Sequence, residues 1–134
     1  MSLPITAATA ALCALLLLIM AIQTVRQRLR LKVAFGDGGD AALISASRSH
    51  ANLAEHAPIV IVMLGLLEMN KANSTALMAF AAVFVIGRVA HIVGLHTPSQ
   101  PGKAPVPRQI GVVTTWLTLG GLASWIVWTL LTGN

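Results

Sequence analysis

Residues 48–67 read RSHANLAEHAPIVIVMLGLL. Three polar residues, Arg48, Asn52 and Glu55, lead into an uncharged run from Pro58 to Leu67. Their spacing is i, i+4, i+7, which on an α-helix confines them to one stripe about 60° wide. A charge inside a membrane span is costly, so it faces protein or water and has a task there. The stretch therefore reads as a membrane-crossing helix with a polar site in one half and lipid-compatible residues in the other.

The rest of the chain supports that reading. The 134 residues are 56% hydrophobic and 10% charged, against about 25% charged in soluble domains. Leu3 to Val25 carries no charge, and neither does Val112 to Leu131. About 20 apolar residues cross a bilayer core of roughly 30 Å as a helix. Four spans are expected, at about 3–25, 41–67, 75–95 and 110–131, forming a single all-α integral membrane domain. A turn, Glu68 to Ser74, joins the second span to the third. The loop Gly36-Asp37-Gly38-Gly39-Asp40 is too rich in glycine to be helix interior. HTPSQPGKAPVPRQ, with four of the six prolines, reads as a second long loop.

The net charge of +5 does not point to nucleic acid. The basic residues sit at the ends of apolar spans, without aromatics beside them to stack bases. Membrane topology accounts for them. Loop one carries Arg26, Arg28, Arg30 and Lys32, and loop three carries Lys103 and Arg108, whereas loop two has only Lys71. The excess of Lys and Arg marks the cytoplasmic side, which puts loops one and three inside and both termini outside. Trp125 and Trp128 then fall near the outer end of span four, as an aromatic belt would. Cys13 lies in the first span and reads as a small buried hydrophobe. Small residues mark expected packing seams: Ala7, Ala10, Ala11 and Ala14; Gly87, Ala90 and Gly94; Gly120 and Ser124.

This topology gathers the polar residues at one end of the bundle. Arg48, Asn52 and Glu55 belong to the inner half of span two. Arg88 and His91, at i, i+3, share a face near the inner end of span three, and Arg108 stands at the mouth of span four. The simpler readings are a structural Arg48–Glu55 ion pair, a carbonyl-bonded His91, and topology arginines touching lipid phosphate. A ligand complementary to Arg48, Arg88, Arg108 and Glu55 would carry two anionic groups and one cationic group. Arginine favours carboxylates through bidentate geometry. A γ-glutamyl tripeptide fits, as do other small zwitterions.

At these residues the chain resembles the MAPEG superfamily, membrane-associated proteins in eicosanoid and glutathione metabolism. Arg48-Ser-His-Ala-Asn52-Leu-Ala-Glu55-His-Ala-Pro58 matches the family's second-helix pattern, and Gly87-Arg88-Val-Ala-His91 its third. Arg108 matches a basic residue opening the fourth helix, and VAFGDGGD is similar to the prokaryotic branch. The resemblance implies a four-helix bundle that forms a homotrimer, in a bacterial inner membrane, with glutathione bound between subunits near the cytoplasmic face. It implies that Arg28, Arg48 and Arg88 hold carboxylates and Glu55 the α-ammonium. His50, Asn52 and His91 complete the binding set, Arg108 sits near the thiol as the catalytic residue, and no metal is assigned. The activity implied is that of a glutathione S-transferase or peroxidase acting on lipophilic small molecules or lipids. The eicosanoid-forming members use tyrosines on helices three and four; this chain has none and carries Leu95 at the third-helix position. Leukotriene or prostaglandin synthesis is therefore not expected. The alternative is a non-enzymatic membrane protein, either a small transporter or a ligand-binding or structural module. Small multidrug transporters also pair four spans with one key Glu, but an arginine cluster would repel their cationic substrates.

Overall fold

The computed structural model describes residues 2–98 and 102–133. Four helices run through them: α1 Pro4–Leu31, α2 Ala41–Met69, α3 Ser74–His96 and α4 Val106–Thr132. All four are long and apolar enough to cross a membrane; at 1.5 Å per residue even α3 reaches about 35 Å. The four-span, all-α reading is confirmed, with the ends adjusted. Residues 99–101 of the expected third loop lie outside the described residues.

Each adjustment has a local cause. α1 continues six residues beyond the expected Val25, so Arg26, Arg28 and Arg30 stand on helix. It stops at Lys32, whose φ of 56° is left-handed. Gly36, Gly38 and Gly39 then take φ of 70°, 59° and 73°, the region that disfavours other residues. Asp40 caps α2 by accepting from Leu43 N at 2.9 Å. α2 runs unbroken through Pro58. α4 starts at Val106 rather than Ile110 because Pro107 sits in the first turn, where no backbone donor is needed.

The N-terminal end of α1 has no side-chain cap of its own. Glu68, at the far end of α2, supplies one. Its carboxylate accepts from Ile5 N at 2.9 Å, Thr6 N at 2.8 Å and Thr6 Oγ1 at 2.6 Å. A carboxylate over free amides satisfies orphan donors and opposes the helix dipole. The residue read as part of a turn thus fastens α1 to α2.

The core holds Cys13, Leu53, Val60, Leu64, Leu77, Phe84 and Leu122. Leu15, Ile22, Val62, Ile86, Trp116 and Leu130 are exposed, which suits a surface solvated by lipid. Of the expected small-residue seams, the one on α3 packs within the chain. A Cβ added at Gly94 would lie 2.7 Å from Arg108 Cα, and one at Gly111 would lie 2.7 Å from Gly87 O. Ala11, Ala14, Gly120 and Ser124 instead face outward. Trp128 is exposed, whereas Trp125 packs inward against Phe80 with ring centroids 6.2 Å apart. Phe80 can reach there because Gly121 has no side chain to meet its ring.

This close packing yields a prediction. In Gly94→Ala the new methyl meets backbone that cannot step aside. Overpacking of this kind costs about 1–3 kcal/mol. Thermal unfolding in mild detergent should show a lower midpoint; an unchanged one would mean that α3 and α4 lie further apart.

Candidate functional site

Arg88 is the centre of the polar cluster. It lies eight residues before the end of α3, about 12 Å along the axis, and is only 2% exposed. A buried guanidinium must find acceptors for its donors. Nη1 donates to Asn52 Oδ1 of α2, and Nη2 to Gly111 O and Thr115 Oγ1 of α4. The Phe84 ring, one turn earlier on α3, lies 5.7 Å from the guanidinium carbon, within cation–π range. One side chain therefore ties three helices together. Nε finds no partner among the described residues.

His91 follows on the same face and is also buried, with Nδ1 unpartnered among the described residues. Its Cβ touches the position where Gly111 lacks one, so the α3–α4 approach fixes the ring. Arg108 stands exposed in the first turn of α4, its backbone against Gly94, one turn beyond His91.

The stripe on α2 is divided by its neighbours. Asn52 is half-buried and turned inward to Arg88, whereas Arg48 and Glu55 are exposed. Among the described residues the only ion pair is Arg30–Asp40 at 3.1 Å, so the simple reading of an Arg48–Glu55 pair does not describe this chain. His56 Nδ1 donates to Asn52 O at 2.7 Å, and His50 is half-buried. Arg28 is turned away from these residues: Nη1 donates to Ala34 O at 3.2 Å and Gly36 O at 2.9 Å, bracing loop one.

The cluster thus has two layers. The inner layer is Arg88, Asn52, His91, Thr115 and the Gly111 carbonyl, and it is largely satisfied by the protein itself. The outer layer is Arg48, Glu55 and Arg108, which are exposed on the surface of the chain. Sequence reasoning missed Thr115. Its signal was available: Thr114, Thr115 and Thr118 are hydroxyls in an apolar span, where a polar side chain needs a partner. It also gave Arg88 a ligand-facing role, because helical spacing cannot tell whether an arginine points at a ligand or at the next helix.

Comparison with known proteins adds to this geometry. The sequence profile of the MAPEG family matches residues 6–128. The chain is 40% identical over 115 residues to the inner membrane protein YecN of Escherichia coli, covering 86% of this chain and 84% of that protein. The same protein from a second strain of that species matches to the same extent.

Proposed function

This chain belongs to the MAPEG family, and on that premise we propose that it binds glutathione between the subunits of a homotrimer and turns its thiol against lipophilic electrophiles from the bilayer. The observation that carries this reading is Glu55. It lies in the middle of a membrane-crossing helix, exposed on the subunit surface, with no cation paired to it among the described residues. An ionised carboxylate facing lipid costs several kcal/mol, so its partner must come from outside the subunit. The α-ammonium of glutathione is such a partner. Arg48, two turns away on the same outward stripe, is free to take a carboxylate. Arg88 acts as a positioning residue that holds Asn52, and Arg108 stands where it can reach the thiol. His50 and His91 supply further hydrogen bonds, and Arg28 joins them if loop one opens. The outward small residues of α1 and α4 offer faces for subunit packing.

The chain is a multi-pass membrane protein, and we place it in the inner membrane like its relatives, with loops one and three cytoplasmic and both termini outside. Reporter fusions to the C-terminus should read as exterior; a cytoplasmic signal would put the site on the other face. The absence of tyrosine favours a second reading, a binding or transport module that holds the same ligand without chemistry.

One experiment tests the ligand. Glu55→Gln should weaken glutathione binding by at least about 2 kcal/mol, roughly thirtyfold, the lower end for loss of one partner of a buried charge pair. An analogue lacking the α-amino group should bind wild type and variant almost equally. Equal weakening of both ligands, by calorimetry in detergent, would make Glu55 structural.

A further inference from the structure

A second polar hollow lies apart from that site. It has a volume of about 500 Å³, between the loop-one end of α1, the first turns of α2 and the last turn of α3. Gln23, Arg26, Gln27 and Arg30 of α1 line it, with His96 of α3; Ala42 and Ala46 form its α2 wall. That wall lies roughly 110–150° around α2 from the Arg48–Glu55 stripe, so the two sites do not overlap.

The chemistry of the lining is specific. Arg26 and Arg30 contribute two positive charges, and Asp40, bound to Arg30 at 3.1 Å, returns one negative charge. One net positive charge suits one phosphodiester. Gln27 Oε1 is buried and has no hydrogen-bond partner among the described residues, so it calls for a donor. His96 donates Nδ1–H to Ile92 O at 2.9 Å, leaving its other ring nitrogen for an occupant.

The hollow also adjoins the α1–α3 seam. Gln23 and His96 are shared with a second hollow of about 340 Å³ against Ile92 and Val93. Leu12 and Gln23, eleven residues apart on α1, are only about 20° apart around the helix. The same spacing relates Ala82 and Val93 on α3. The α1–α3 seam therefore stays in phase down to an apolar hollow of about 780 Å³ lined by Leu12 and Ala82. A basic, hydrogen-bonding cavity opening onto an apolar seam has the shape of a phospholipid.

We propose that Arg26, Gln27, Arg30 and His96 form a site for the headgroup of an anionic phospholipid bearing a free hydroxyl, with one acyl chain in the α1–α3 seam. The phosphodiester takes the Arg26 guanidinium, and the hydroxyl donates to Gln27 Oε1. This site does not depend on the glutathione reading.

The test titrates the purified protein in mild detergent with phosphatidylglycerol, and counts bound lipid by native mass spectrometry. Phosphatidylcholine and glycerol 3-phosphate run in parallel. One phosphatidylglycerol per subunit should bind in preference to phosphatidylcholine, and glycerol 3-phosphate in tenfold excess should not displace it. Arg26→Gln should weaken binding about fivefold, the contribution of one basic residue beside an anionic headgroup. Ala42→Phe, which fills the hollow without changing charge, should abolish the specific complex. Lys32→Gln removes a charge from the same end of α1 but outside the hollow, and should change affinity less than twofold. Equal losses in Lys32→Gln and Arg26→Gln would show diffuse attraction and overturn the site. Displacement by glycerol 3-phosphate would make it a free-phosphate site. If Ala42→Phe altered the number of subunits and left bound lipid unchanged, the seam would seat a second copy of the chain instead.

Discussion

Arg88→Ala is expected to lower the free energy of unfolding by about 3–5 kcal/mol, the range for emptying a large buried side chain. Arg88 is among the largest fully buried side chains of the chain, so its removal leaves a cavity between α2, α3 and α4. It also removes hydrogen bonds from a charged donor, each contributing roughly 1.5–3 kcal/mol. Asn52 is the partner most affected. The Gly111 carbonyl still accepts from Thr115 Oγ1 at 2.8 Å, whereas Asn52 Oδ1 loses its one protein donor among the described residues. Arg88→Lys should fall between wild type and Arg88→Ala, because an ammonium keeps the charge but not the planar fork that spans two helices. Asn52→Ala combined with Arg88→Ala should cost less than the two separate losses together, by about 0.5–3 kcal/mol. Thermal unfolding in mild detergent reads the four variants against wild type. An Arg88→Ala variant as stable as wild type would show that the guanidinium does not tie the helices.

Arg108→Ala is expected to slow conjugation of an aryl halide about a hundredfold, while changing glutathione affinity less than tenfold. The nucleophile in such chemistry is the thiolate. Lowering the thiol pKa by two units takes about 2.7 kcal/mol, which a poorly solvated guanidinium can supply together with the positive end of a helix dipole. Arg108 stands at that positive end, in the first turn of α4; in the proposed trimer a neighbouring subunit would shield it from solvent. In the single chain it is exposed and forms no ion pair among the described residues, so its charge is available to a ligand. A loss in turnover larger than the loss in binding marks an interaction made in the transition state. Ultraviolet absorbance of bound thiolate against pH supplies the independent reading, with the midpoint moving up in the variant. No thiolate near neutral pH and no turnover in wild type would sink the transferase reading and leave the binding module.

Much of this molecule was legible in its sequence. Apolar runs long enough to cross a bilayer, two of them uncharged, specified four helices, since in lipid only a helix satisfies its own backbone. Glycines at 36, 38 and 39 marked the first loop because they alone take positive φ without strain, and the structure uses all three that way. The motifs around Asn52 and Arg88 placed both residues on neighbouring helices, and they do meet. Helix ends were read less well. Glu68 looked like a turn residue because its partners, Ile5 and Thr6, lie more than 60 residues away in sequence.

The facing of each side chain was decided only by the tertiary structure. Periodicity sets the angle between two residues on one helix, so Arg48, Asn52 and Glu55 were bound to share a stripe. It does not say which edge of the stripe meets the next helix. In a soluble protein the polar face would turn to water and answer that question. Here lipid is as apolar as the core, so inward and outward faces look alike in sequence. The close approach of α3 and α4 at Gly94 and Gly111, where no Cβ intervenes, brings Thr115 and the Gly111 carbonyl to Arg88. That draws Arg88 and Asn52 inward and leaves Arg48 and Glu55 on the outside.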